Sequence, residues 1–187
     1  MKERGFDPDR LDVAAFASQA AQLQGRWPLS RLDRLASCSA PDAPVGDAAE
    51  IAWRVWGEQR KLRSGASQTW LHLTAHAAMA LECQRCLRPV LVPLNVERSF
   101  LFVAGEQAAE QTDADIEEDV LALTRAFNLP RLVEDELLLA LPLVPRHDVC
   151  PVPLVAAESQ DAPDGNARPN PFAVLRGLKG SKQGDPH

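Results

Sequence analysis

Apolar and polar positions change period twice along the chain. Over residues 11–23, Val13, Phe16, Ala17, Ala20 and Leu23 recur at helical spacing and predict a helix with one weakly apolar face, closed by Gly25 and Pro28. Ser30 then stands where it would cap a short helix through "RLDRLAS". After the linker-like "SAPDAPVGDAA" the period drops to two. In "EIAWRVWGEQ", Ile51, Trp53 and Val55 alternate with Ala52, Arg54 and Trp56; in "SQTWLHLTAHAAMALEC", Trp70, His72, Thr74 and His76 alternate with Leu71, Leu73, Ala75 and Ala77. Both read as strands, and "PVLVPLNVERSFLFVAG" resumes with β-type residues as a further extended segment. The reversal between the last two falls at Cys83-Gln84-Arg85-Cys86, so a hairpin tip carries a C-x-x-C pair.

The period returns to helical near the other end. "DIEEDVLALTRAF" fits either a helix through Ile116, Val120 and Leu123 or a short strand. "NLPRLVEDELLLALPLVPRH" is clearer: Asn128 can cap, Pro130 suits a first turn, Glu134, Asp135 and Glu136 put negative charge early, and Pro142 and Pro145 end the helix. Leu132, Val133, Leu137, Ala140 and Leu141 supply a face to bury. The expected fold is therefore α+β, a mainly antiparallel β core with N-terminal helices and one buried C-terminal helix. One domain would take residues 1–155, with helical N-terminus 10–38, β core about 48–104, acidic loop 105–119 and helix about 129–141. A flexible, disordered tail over 156–187 would hold one apolar island, "NPFAVLRGLK".

Composition narrows the setting. The N-terminus lacks the apolar core of a signal peptide and no apolar run approaches the roughly 20 residues of a membrane span, which points to the cytoplasm. Four cysteines there argue against a disulfide framework. The net charge of −6 disfavours a protein that coats nucleic acid by bulk electrostatics. Residues 1–100 hold 13 Lys and Arg against 11 Asp and Glu, and residues 101–187 hold 7 against 15, so the acidity is concentrated in the second half, where it would steer a basic partner.

Two constellations carry chemistry. His147 and Cys150 in "RHDVC" complete, with Cys83 and Cys86, a Cys₃His set that tetrahedral zinc accepts. The alternatives are reduced thiols packed at a turn or a redox pair, and the strand context preceding the pair disfavours the redox reading. Cys38 is expected to have no part. His72 and His76, four residues apart on one strand, lie roughly 13 Å apart and cannot share a metal. The second constellation is basic and aromatic: Trp53, Arg54, Trp56, Arg60, Lys61 and Arg63, with Arg85 and Arg88 at the cysteines, could stack bases and hold phosphates. The rival reading puts one tryptophan in the core and the cations on a loop. No Gly-rich phosphate loop, G-x-S-x-G elbow or H-E-x-x-H helix is present, so motif evidence for an enzyme is lacking.

"LECQRCLRPV", "LVEDELLLALPLVPRHDVC" and the terminal "NPFAVLRGLK", in that order, resemble the YceD family of bacterial large ribosomal RNA subunit accumulation proteins. The matching positions are Cys83, Cys86, the run of Glu134 to Glu136, Leu141, Pro142, His147, Cys150 and residues 170–179. The resemblance implies a non-enzymatic factor in accumulation or processing of 23S ribosomal RNA. Family members are often encoded beside a large-subunit ribosomal protein, which ties them to subunit assembly. Expected partners are 23S rRNA or its precursor, a large-subunit ribosomal protein, or both, with no membrane and no small-molecule substrate. The contacts would come from the basic and aromatic residues and, in the tail, from Phe172, Leu175 and Lys179. The competing functions are a nuclease or thiol oxidoreductase in the same pathway, or a zinc-stabilised scaffold for protein interaction.

Overall fold

The computed structural model describes residues 5–43, 50–62, 65–106, 108 and 119–151. The chain divides into units Met1–Val152 and Pro153–His187, and the second lies outside the described residues together with the predicted tail. A 3₁₀ turn at Pro8–Arg10 leads into α1 (Val13–Ser18) and β1 (Gln22–Pro28). A second 3₁₀ turn at Leu29–Arg31 precedes α2 (Asp33–Ala36). Then come β2 (Glu50–Lys61), β3 (Ser67–Glu82), β4 (Pro89–Val103), β5 (Asp119–Ala122) and α3 (Leu129–Leu139). The five strands form one sheet in the order β1-β2-β3-β4-β5, antiparallel throughout except that β5 runs parallel to β4. This is the predicted α+β class.

The alternation of β2 and β3 decides the two faces. Ile51, Trp53, Val55, Leu71, Leu73 and Ala75 are buried under α1, α2 and α3, where Phe16, Leu35, Val133 and Leu137 close the core. Each of the larger aliphatic side chains removed from water contributes about 1.5–3 kcal/mol. Gly57 is required where α1 crosses β2, since a Cβ there would stand 2.6 Å from the Ala17 Cα. Among the described residues no helix is long and apolar enough to cross a membrane.

Three expectations need correction. The helix over 11–23 stops at Ser18: Asp12 caps it, accepting from the Ala15 N–H at 3.0 Å, and Ala20 turns the chain with a φ of +47°. Residues 22–28 are instead the edge strand β1. There Leu23, Gly25 and Trp27 face inward at period two, and Gly25 leaves room for the Trp53 indole, 3.0 Å from where a Cβ would stand. Leu23 happened to satisfy both periods, and Pro28 is tolerated at a strand end.

Ser30 caps nothing, because α2 begins at Asp33. Its exposed N–H groups are met from 100 positions away: the Glu134 carboxylate accepts from the Arg34 N–H at 2.8 Å and the Leu35 N–H at 3.2 Å. The Arg34 guanidinium closes on the same carboxylate. Burial raises the Glu134 pKa, but these bonds outweigh it and hold the carboxyl below its usual range.

Trp53, grouped above with contact residues, belongs to the core. It faces inward with Ile51 and Val55 and packs on Trp27 at 4.4 Å between ring centroids. Its Nε1–H has no hydrogen-bond partner among the described residues. The ambiguous segment at 115–127 contains β5, while α3 takes its predicted cap, Asn128 accepting from the Arg131 N–H at 2.8 Å.

Candidate metal centre

The β3–β4 hairpin places the cysteine pair. Strand register runs to Glu82 opposite Pro89, and the turn closes by bonds from the Leu87 N–H to the Cys83 carbonyl and from the Cys83 N–H to the Arg88 carbonyl. After α3 the chain is stopped by Pro142 and returns to this tip, where the Gln84 N–H donates to the Pro145 carbonyl at 2.9 Å. That return delivers His147 and Cys150 beside Cys83 and Cys86, with one ligand atom from each lying within 4.8 Å of all the others. Zinc with sulfur ligands at about 2.3 Å sets tetrahedral neighbours roughly 3.8 Å apart, so the spacing admits a metal with small side-chain adjustments.

The donor set is prepared for a cation. His147 Nε2 lies 3.1 Å from the Pro89 carbonyl oxygen, an acceptor only, so Nε2 carries the proton and Nδ1 keeps its lone pair. That Nδ1 is the atom facing Cys86, 3.5 Å from Sγ. Burial opposes ionisation of Cys83. The backbone N–H groups of Arg85, Cys86 and His147 nonetheless draw its thiol down to about 5. Cys150 goes the other way: burial and the adjoining sulfurs of Cys86 and Cys83 push its thiol up, against the pull of Arg85. One sulfur is thus ready as a thiolate, and gathering the rest as thiolates calls for positive charge at the centre. The Cys83, Cys86, His147 and Cys150 cluster could hold a metal; Cys38, exposed on a separate segment, takes no part in it.

Comparison with known proteins bears on the same segment. The family model "Large ribosomal RNA subunit accumulation protein YceD" matches residues 71–179. The chain belongs to the YceD family. A large ribosomal RNA subunit accumulation protein YceD of Haemophilus influenzae is 39% identical over 102 residues, which is 53% of this chain and 59% of that protein. The chain thus spans less than two thirds of the length of this curated YceD relative. No solved structure matches the chain. The YceD match takes in all four cluster residues and runs from within β3 through α3, and it stops short of β1 and β2. The family is named for accumulation of large-subunit ribosomal RNA, not for a reaction.

The remaining predicted site residues fall in three places. Arg54, Trp56 and Arg60 lie on the outer face of the sheet, with Lys61 exposed at the end of β2. Arg85 and Arg88 are exposed on the hairpin tip beside the cluster. Arg63, Phe172, Leu175 and Lys179 lie outside the described residues. On the outer face Trp56 stacks on His72 at 4.9 Å, His72 on Trp70 at 6.4 Å, and the Arg60 guanidinium covers Trp70 at 4.5 Å. Much of this aromatic surface is spent on its own neighbours.

Sequence reading missed the partners of His72. Its Nδ1 lies 2.7 Å from Ser99 Oγ and its Nε2 2.9 Å from Glu58, so the three form a serine–histidine–carboxylate chain across β2, β3 and β4. Ser99 stands mid-strand, where a flat ladder does not supply the two convergent N–H donors an oxyanion requires. Arg60 donates two bonds to Glu58 and, with His72, holds its carboxyl below the usual range, so the chain reads as a satisfied polar network that ties three strands. Only the register, invisible in one strand's sequence, brings these groups together.

Proposed function

We infer that this protein is a non-enzymatic, cytoplasmic factor that supports accumulation of 23S rRNA during assembly of the large ribosomal subunit. It would do so by binding the rRNA precursor, a large-subunit ribosomal protein, or both. Family membership over residues 71–179 carries the reading. No catalytic residue is assigned: the family is named for accumulation and not for a reaction, and the Ser99–His72–Glu58 chain is read as a structural network. The domain, residues 1–155, is read as stabilised by one zinc ion on Cys83, Cys86, His147 and Cys150. A closed set of four protein ligands suits a structural site. Contacts to RNA or protein are assigned to Arg54, Trp56, Arg60, Lys61, Arg63, Arg85 and Arg88, and to Phe172, Leu175 and Lys179 of the tail, 156–187.

The test is capture of the tagged full chain from cells lysed gently, followed by RNA sequencing and protein mass spectrometry. Enrichment of 23S precursors or large-subunit ribosomal proteins over their small-subunit counterparts is expected. Equal recovery of both subunits' components, or of neither, would refute the reading. Metal analysis of the purified protein should find about one zinc per chain, lost in a Cys83→Ser, Cys86→Ser variant.

A further inference from the structure

The cations of the folded unit are distributed unevenly between free and paired. Arg26 is bound to Glu50, Arg31 to Asp9, Arg34 to Glu134 and Asp135, Arg60 to Glu58, and Arg98 to Asp119. Arg54, on the outer face, donates to Gln22. Seven other exposed cations have no carboxylate partner among the described residues; Arg10, Lys61, Arg125 and Arg131 lie on other segments, whereas Arg85, Arg88 and Arg146 fall on the two stretches that meet at the cysteine–histidine cluster. The acids nearest them in sequence are Glu82 and Asp148, and neither is within ion-pair distance of them.

The apolar surface is gathered at the same end. Of seven exposed large apolar side chains among the described residues, six fall in 87–91 and 139–149, the two stretches that meet at the cluster. Leu87 is the telling one. Its backbone sits at a φ of +58°, where leucine is strained by roughly 1–2 kcal/mol and glycine is not. The residue is 65% exposed, so little packing within the described unit offsets that strain. Leucine at a turn position suited to glycine, on the stretch that meets the segment carrying Leu143 and Val149, indicates a surface shaped for something outside the domain.

We propose that this end of the molecule is a docking surface for single-stranded RNA, with phosphates on Arg85, Arg88 and Arg146 and unstacked bases against Leu87, Leu143 and Val149. The inference deepens the assembly-factor reading and rests on it. Unpaired guanidinium groups are what a phosphate chain requires, and exposed apolar groups can meet base faces only where these are not already stacked in a duplex. The outer face of the sheet, whose arginines and rings are engaged with one another, becomes the secondary candidate. The cluster joins the two stretches, so the surface exists only while the segment 142–150 is held against the hairpin tip.

The test is fluorescence anisotropy with the full-length, metal-loaded protein and a labelled unpaired RNA of mixed sequence, alone or annealed to its complement, across a salt series. The unpaired strand should bind at least tenfold tighter than the duplex. The salt slope should approach 2 in magnitude, about 0.7 for each of three arginines. The Arg85→Gln, Arg88→Gln, Arg146→Gln variant should lose most of the affinity and nearly all of that slope, and Arg26→Gln should match wild type. Leu87→Gly, which keeps or improves the turn geometry, should weaken binding about fivefold through lost apolar contact. Removing the metal should abolish binding. Preference for duplex, or a larger loss in Arg54→Gln, Lys61→Gln than in the triple variant, would overturn the proposal. Wild type that binds no RNA yet still captures large-subunit ribosomal proteins would refute this surface and leave the assembly-factor reading standing; failure of both would remove the two together.

Discussion

The β3–β4 hairpin is held in two different ways along its length. Toward its base, Leu71, Leu73, Phe100 and Phe102 are sealed under the helices, and burial of apolar area does the work. Toward its tip Met79 and Leu81 still belong to the core and the Ala40 N–H donates to the Ala80 carbonyl, but beyond Glu82 the character of the contacts changes. Cys83 is buried there, but what joins the tip to the rest of the chain is polar: one backbone bond to Pro145 and the contacts of His147 with Cys83, Cys86 and Pro89. One end is therefore held by buried apolar volume and the other by a small set of polar and sulfur contacts that could take a metal. A region secured by four donor atoms can be placed or released as a unit without unfolding the core.

The comparison breaks most severely on core substitution. Trp53→Ala should cost about 3–5 kcal/mol in urea unfolding, as expected for a large buried aromatic, whereas Trp56→Ala on the outer face should cost much less. A small effect at Trp53 would return it to the surface role the sequence suggested. Next in size is chelation of the metal, or the Cys83→Ser, Cys86→Ser variant. Hydrogen exchange should then speed up at residues 83–91 and 142–150 while the centres of β2 and β3 stay protected. Uniform loosening of both regions would mean the cluster supports the whole fold.

Smaller again is Glu134→Gln, expected to cost about 1 kcal/mol at neutral pH as a lost helix cap. The Glu134 carboxyl is held below its unfolded value. Its contribution is therefore complete above the unfolded pKa, near 4.3, and is lost as pH falls through the folded one, so wild type and variant should converge in acid. Divergence on acidification would contradict the capping role. The least effect belongs to Leu87→Gly. Relief of left-handed strain is partly offset by the entropy of glycine, and the net should be between zero and about 1 kcal/mol of stabilisation with metal content unchanged.

Local physics made much of this molecule legible in one dimension. Period-two alternation named β2 and β3, because a pleated strand half sunk in a core must alternate, and β-type residues named β4. Asn128 and Pro130 announced the start of α3, and C-x-x-C at a reversal announced a hairpin tip with two sulfurs. The metal reading came from donor types, a C-x-x-C and an H-x-x-C that together make a Cys₃His set; that the two halves, 64 positions apart, meet was decided by the tertiary structure. β1 was lost because Leu23 satisfies two periods at once, and an edge strand is recognised only beside its neighbour. Trp53 was assigned to the wrong side because its basic neighbours outweighed its parity with Ile51 and Val55. Glu134 capping α2, the Glu58–His72–Ser99 network and the meeting of Arg146 with Arg85 and Arg88 near one cluster were decided by tertiary structure alone. They depend on register and on the path after Pro142, which are set by how whole faces pack and not by any residue's own preference.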